Sequence, residues 1–317
     1  MIKNILRKIF PRWMKSLIKG IIKFNGDCYY LFERHLYRAP SFLQAEIMRS
    51  YLKKNKSFNH REMRSLFLLN PIIKGDNNCI IDVGGNIGYS AYYYSNYILK
   101  TNGICFSFEP MSNNLFYHNY NTKKIKNLFT VPFGISKKTE ELILDIPEYA
   151  LKQGDLRSSN TGLISSNNLS TPTKYREKRL LIKLDDFMRL FDNLNNNIKY
   201  IKVDVEGYEK KVIKSVLQHS NPLIIQIETN MNNPFFDETF SEINELINSK
   251  KYFLNTLIPS YGSYDFREKK IFNKTKKTKI FDYEYKLAKN EVFQAECYYI
   301  KKKNFYTVNE LICLSGF

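Results

Sequence analysis

The chain has no C-x-x-C pair: its five cysteines (Cys28, Cys79, Cys105, Cys297 and Cys313) are scattered over 317 residues and pair with none of the four histidines. That spacing excludes a zinc site or a disulfide framework as the organising feature and fits a reduced, cytoplasmic setting. Long apolar runs are missing too, so neither a transmembrane span nor a signal-peptide core is read from the sequence. No acid precedes Asp27, and Lys and Arg number 49 against 31 Asp and Glu, which leaves a formal net charge of +18. Such an excess draws anionic partners, whether nucleic acid, an acidic membrane surface or acidic glycans, without choosing among them. A hydrophobic content of 43% excludes wholesale disorder, and the length suffices for one full α/β core with appendages.

Residues 1–26 are the clearest appendage. Apolar positions recur at three- and four-residue spacing through Ile2, Ile5, Ile9, Trp13, Leu17 and Ile21, with seven basic residues from Lys3 to Lys23 between them. The pattern predicts a basic amphipathic helix, kinked at Pro11, that lies on an anionic membrane surface through residues 1–24. A stripe packed on its own domain or on a second subunit is the alternative. Residues 27–75 read as a helical extension, with segments at 42–52 and 62–69 before Asn70-Pro71 breaks the run. Residues 76–317 read as the main domain, and its basic insertion near 265–280 reads most simply as a solvated loop.

The stretch from Asn78 to Leu99 organises the rest. Residues 79–83 form a buried-strand run, Gly84, Gly85 and Gly88 free the backbone where a side chain would block a ligand, and residues 90–99 continue as a helix. A G-x-G-x-x-G fingerprint needs glycine at 84, 86 and 89, but Asn86 and Tyr89 occupy two of those places, which argues against a dinucleotide. Asp82 argues the same way. A pyrophosphate seeks N–H groups and cations, whereas a carboxylate beside the turn suits an ammonium or sulfonium. S-adenosyl-L-methionine carries both, and Asp82-x-Gly84-x-Asn86-x-Gly88 resembles the first motif of Rossmann-type methyltransferases. Glu109 ends the next strand (104–108), 21 residues beyond Gly88, where this fold sets the acid that accepts hydrogen bonds from ribose hydroxyls. A capped helix at 112–124, a strand at 128–133, a turn at Gly134-Ile135-Ser136 near the expected adenine, and a strand at 142–146 follow. Residues 154–173, rich in Ser, Asn and Thr, read as a long loop.

The run Tyr200-Ile-Lys-Val-Asp-Val-Glu-Gly-Tyr-Glu209 is a buried strand that delivers Lys202, Asp204 and Glu206 into a loop before a helix at 209–217. With IIDVGGNIGYSA, FSFEP, SSNTGLIS, LIKLDDFM and LIIQIETN in order around it, the chain resembles the FkbM family of S-adenosylmethionine-dependent methyltransferases over roughly residues 79–230. The resemblance implies a Rossmann-like class I fold: a doubly wound, mostly parallel α/β sheet with helices on both faces, here with an N-terminal helical extension. It implies a donor held by Asp82, Gly84, Gly85, Asn86, Gly88, Glu109 and Gly134, and methylation of a hydroxyl oxygen on a sugar or secondary metabolite.

The residues suggest a site independently. Parallel strands present their carboxyl ends to one crevice, and those ends carry Asp82, Glu109, Asp204 with Glu206, and Glu228 with Asn230. The donor needs two of these acids, which leaves Asp204, Glu206 and Glu228 as catalytic candidates toward a hydroxyl acceptor. One of them takes the proton, or a divalent ion acidifies the hydroxyl. Asp204, Glu228 and Asn230 resemble the strand-end magnesium ligands of catechol-type methyltransferases. The structural alternatives are Asp204 as a helix N-cap and Glu206 or Glu209 stabilising a helix start. Asn233-Pro234-Phe235-Phe236 resembles the motif of amino-group methyltransferases but follows the wrong strand. A helix at 238–249 and strands at 252–257 and 292–300, the last at a sheet edge, complete the expectation. The resulting reading is O-methylation of a sugar, glycan precursor or related metabolite by a cytoplasmic protein, peripheral on the inner face of the membrane. Its rivals are a nucleic-acid methyltransferase or RNA-binding protein, and a noncatalytic membrane-associated adaptor.

Overall fold

Asn25-Gly26 and Glu33-Arg34 each reverse the chain, and all four residues have positive φ (47°, 86°, 47° and 62°), as a two-residue type I′ hairpin turn requires. The strands they join, β1 (Ile21–Phe24), β2 (Asp27–Phe32) and β3 (His35–Ala39), form an antiparallel sheet. This corrects the helical reading of residues 21–39. Ile21 and Ile22 end a three-and-four stripe that a strand can also begin, and Cys28, Tyr30, Tyr37 and Ala39 alternate inward with period two. The computed structural model describes residues 20–52, 77–99, 102–147, 173–191, 194, 197–205, 207–230, 240–259, 264–265, 270–271 and 294–301. The amphipathic segment up to residue 19, the expected helix at 62–69, residues 233–236 and most of the basic insertion lie outside them.

α1 (Phe42–Leu52) spans the residues that the sequence predicts. β4 (Cys79–Val83) leads through the glycine turn into α2 (Tyr89–Tyr93), which relaxes into a π-turn at Tyr94–Ile98. β5 (Ile104–Phe108), α3 (Ser112–Thr122) and β6 (Leu128–Val131) follow. Gly134–Ile135, read as a turn, is a short strand, β7, which pairs with β9 (Thr173–Ile182); β8 (Glu140–Pro147) pairs with the other edge of β9. Then come α4 (Leu184–Met188), β10 (Ile198–Val203), α5 (Glu209–His219), β11 (Ile224–Asn230), α6 (Phe240–Asn248) and β12 (Tyr252–Pro259). β13 (Tyr264–Asp265), β14 (Lys270–Ile271) and β15 (Gln294–Lys301) end the described chain.

Seven strands form the central sheet in the order β12-β15-β11-β10-β4-β5-β6. β11, β10, β4, β5 and β6 run parallel, and β15 is antiparallel to both of its neighbours. β15 was expected at an edge. It lies one strand inside, where its Ala295-to-Ile300 run is wholly buried, and β12 takes the edge. Each face carries its own apolar core. α1, α2 and the N-terminal sheet cover one through residues such as Ile80, Tyr200 and Tyr298; α4, α5 and α6 cover the other through residues such as Ile81, Ile201 and Ile225. The chain winds outward from β4 to β6 and then returns on the far side of β4 with β10. The strand order therefore reverses between β4 and β10, and a ligand crevice opens at such a reversal, at the carboxyl ends of the strands.

Candidate active site

The glycine turn is shaped by the protein's own packing. Gly84 has φ +89°, and a Cβ there would stand 1.8 Å from the carbonyl oxygen of Asp204. A Cβ on Gly85 would meet Ser107 Oγ at 2.1 Å, and one on Gly88 would meet Thr122 Cγ2 at 2.8 Å. The end of β10, β5 and α3 thus close on the turn, and the Gly84 and Gly85 N–H groups both donate to the Phe108 carbonyl. Asn86, in place of a middle glycine, adopts φ 49°, a region in which Asn is enriched. Its N–H donates to Glu109 Oε2 at 2.8 Å, while Met111 N–H donates to Glu109 Oε1 at 2.8 Å. Glu109 therefore ties the turn to the start of α3. Ser112 does not cap that helix with its side chain; its N–H donates instead to Glu177 on β9. Burial raises the Glu109 carboxyl to about 7 against the opposing pull of those two N–H groups and Asn114.

Asp82 lies away from the crevice. Its Oδ2 accepts from Ser107 Oγ at 2.9 Å and Ser90 Oγ at 3.0 Å, and the residue has no exposed surface. His118 Nε2 is 2.9 Å from Ser107 Oγ, and His118 Nδ1 is 2.9 Å from Thr130 Oγ1. Because Ser107 has one proton and gives it to Asp82, His118 must donate from Nε2 and accept from Thr130 at Nδ1. Burial lowers its pKa to about 3, so the ring stays neutral and serves the scaffold rather than as a base. Strand register extends this row across five strands, Thr130, Ser107, Asp82, Lys202 and Gln226, all on one face. Lys202 is 1% exposed, and its Nζ lies 2.7 Å from Asp204 Oδ2.

Around the switch point opens a cleft of about 760 Å³, its mouth and adjoining open space included. Gly84, Asn86, Glu109, Gly134 and Asp204 all line it, so five of the candidates meet there. One wall is apolar, made by Phe108, Ile135, Leu144 and Leu181; Asn86 Oδ1 and Asn114 Oδ1 are buried acceptors with no hydrogen-bond partner. An apolar wall beside a carboxyl and two unused acceptors suits a nucleoside, with the base against the wall and hydroxyls toward Glu109. The residues present therefore fit an adenosine-bearing donor.

Gly85, Gly88 and Asp82 support the cleft without lining it. Glu228 is buried on β11 opposite Glu296 on β15, and Gln226 Nε2 donates to Glu296 Oε2 at 2.7 Å. Glu206 and the Asn230 side chain lie outside the described residues, and among the described residues no three His, Cys, Asp or Glu side chains are grouped to hold a metal ion. The capping alternative for Asp204 fails, since α5 starts after Tyr208. Glu209 takes the helix-start role, accepting from Gly207 N–H at 3.0 Å with both oxygens. Sequence reading missed Asn114 and Tyr208. Tyr208 lines the cleft while its hydroxyl donates to Glu140 Oε1 at 3.1 Å and lies 3.1 Å from Ser136 Oγ. The only signal for Tyr208 was its place inside Glu206-Gly207-Tyr208-Glu209, and for Asn114 its place on α3 soon after Glu109.

The sheet order and the cleft at its reversal define a class I, Rossmann-like methyltransferase. Residues 82–254 match the Methyltransferase FkbM domain, more than half of the chain, and the protein belongs to that family of S-adenosylmethionine-dependent methyltransferases. No curated protein matches the chain in sequence. Among solved structures it is similar to a precorrin-6y C5,15-methyltransferase from Geobacter metallireducens, at 13% identity and TM-score 0.41 over 78% of this chain and 93% of that one. It is also similar to Aeropyrum pernix fibrillarin with natively bound S-adenosyl-L-methionine, at 10% identity and TM-score 0.39 over 88% and 84%. A third, the StiE O-MT segment, shows 12% identity and TM-score 0.38 over 87% and 86%. At such scores none of them bears on the acceptor.

Proposed function

We propose that the protein transfers a methyl group to a hydroxyl oxygen of a sugar, glycan precursor or related metabolite, with Asp204 as the base. The observation that carries this reading is the position of Asp204: it lines the same cleft as Glu109 and Asn86, with its side chain 13% exposed and its carboxylate on the Lys202 ammonium. When bound, the donor supplies a methyl carbon already activated by its sulfonium. The chain's own contribution is alignment, worth up to about 7–11 kcal/mol in favourable systems, and a place for the hydroxyl proton. With donor and acceptor bound, Asp204 would take up the hydroxyl proton that the acceptor loses. Glu109 would hold the ribose hydroxyls of the donor and take no part in the proton transfer. Glu228 and Glu206 are the next acids along the strand ends, and a magnesium ion held by Asp204, Glu228 and Asn230 is the competing way to acidify the hydroxyl.

The test is a screen of cell-extract fractions with labelled methyl donor, followed by Asp204→Asn on the acceptor found. Turnover should fall by about 10²-fold or more, with donor affinity within about twofold of the parent. Full turnover by the variant would remove Asp204 as base. Loss of parent activity in EDTA, restored by magnesium, would transfer the role to the metal.

A further inference from the structure

The three-stranded N-terminal sheet exposes large apolar side chains on the face turned away from the core, where an antiparallel sheet of this kind commonly turns polar residues. Its inner face packs Ile21, Cys28, Tyr30 and Tyr37 into the core. On its outer face Ile22, Phe24 and Leu31 are 58%, 69% and 64% exposed, and Leu36, the register partner of Leu31, is exposed as well. Register sets Ile22 beside Tyr29 and Tyr29 beside Arg38, whose guanidinium carbon lies 4.7 Å from the centre of the exposed Phe116 ring on α3. The patch therefore runs without a break from β1 to α3.

Its charge is one-sided. Lys23, Arg34, Lys123 and Lys124 are exposed around it, and Lys123 lies 4.6 Å over the ring of Tyr120, itself beside Arg38. Asp27 is buried and bonded to Arg38 and Tyr117, which leaves Glu33 as the exposed acid of the sheet. Residues 1–19 add six more basic residues and no acid. An exposed apolar face rimmed by lysine and arginine matches the boundary between anionic headgroups and acyl chains, whereas a second copy of this chain, with its net charge of +18, would bring the same basic rim against it. Phe24, beside the Asn25-Gly26 turn, stands at the tip of a hairpin and is placed to enter first. Among the described residues no helix is long and apolar enough to cross a membrane, so attachment would be from one side.

We propose that the outer face of the β1–β3 sheet, with Phe24 and Leu31 as its anchors, docks the protein on an anionic lipid surface. The proposal rests on the sequence expectation of a protein peripheral on the membrane and goes beyond it by naming this face. The experiment is sedimentation of the full chain with phosphatidylcholine vesicles, with and without phosphatidylglycerol. It compares the parent, Phe24→Ser/Leu31→Ser, and a chain lacking residues 1–19, with light scattering on each. Both substituted side chains are exposed, and unchanged binding of S-adenosylhomocysteine confirms the fold. The expected result is salt-sensitive binding to the phosphatidylglycerol vesicles by a monomeric parent, weakened at least about tenfold in the double variant. Parental binding by the double variant, with loss confined to the shortened chain, would overturn the sheet's role and leave the amphipathic segment as the anchor. A parent that binds no vesicles would overturn both. A dimeric parent that the double variant renders monomeric would make the occupant a second copy and overturn the lipid assignment.

Discussion

Gly84 and Asp204 touch through backbone: the β10 loop runs its Asp204 carbonyl into the space that any side chain at 84 would need. The donor turn and the proposed base are thereby fixed to each other, and Asp204 N–H bonded to the Val83 carbonyl at 3.0 Å holds the same junction.

Gly84→Ala should therefore cost more than backbone strain. Gly26, with φ +86° and nothing within 4 Å of an added Cβ, is the control. Gly26→Ala should lose about 1–2 kcal/mol from left-handed strain alone, and Gly84→Ala should add about 1–3 kcal/mol of overpacking and depress donor affinity. Chemical denaturation with calorimetric titration of S-adenosylhomocysteine measures both. Equal destabilisation by the two would show that the loop yields.

Glu109 should give the proposed donor site a pH dependence. Its folded pKa of about 7 lies above that of an ordinary carboxylate, so the stability it contributes is fully present below about pH 4.5 and is lost as pH rises through 7. Donor binding should move oppositely, since an ionised carboxyl accepts ribose hydroxyls more strongly than a neutral one. Affinity should rise between pH 6 and 8 in the parent and stay flat in Glu109→Gln, with binding weaker by about 1.5–3 kcal/mol at pH 8. A slope that persists in the variant would assign the titration to another group.

These relationships were unequally legible in the sequence. β4, the turn, α2 and Glu109 lie within about 30 residues and follow from local pattern, as do α1 and α6. The row from Thr130 to Gln226 depends on the register of strands up to 120 residues apart, as Asp82 and Lys202 are, which no local period encodes. The role given to Asp82, beside a ligand's ammonium, came from its position at the turn. Ser107, which donates to its carboxylate, and His118, which donates to Ser107, were invisible as partners until β5 and α3 were in place. The hairpins at 21–39 were misread because a three-and-four stripe running into Ile21 and Ile22 outweighed Asn25-Gly26, the stronger local signal.

His118 should behave as a buried neutral ring. Its folded pKa is depressed to about 3, so its stability contribution is present above about pH 6.5 and is lost as pH falls toward 3. His118→Phe leaves Ser107 and Thr130 without their partner and should destabilise by about 1–3 kcal/mol at pH 7.5, while removing part of the acid-side slope. Urea unfolding at pH 7.5 and pH 5 would show it; an unchanged slope would assign acid sensitivity elsewhere.

The last prediction separates structure from chemistry at Lys202 and Asp204. Their contact joins a 1%-exposed ammonium to a carboxylate that is 13% exposed, so the cation cannot find water if its partner is lost, whereas the carboxylate can. Asp204→Asn should consequently destabilise more than Lys202→Met, because it takes a counter-charge from a buried ammonium, a loss of up to about 3–5 kcal/mol in well-buried pairs. The double variant should recover much of that stability, with a coupling energy of about 0.5–3 kcal/mol, yet remain as inactive as Asp204→Asn. Lys202→Met alone keeps the base but removes the charge that favours its ionised form, so its activity should fall near neutrality and return partly as pH rises. A purely structural ion pair would predict otherwise, with activity following stability in all three variants and the acid limb of the rate profile staying in place when Lys202 is replaced.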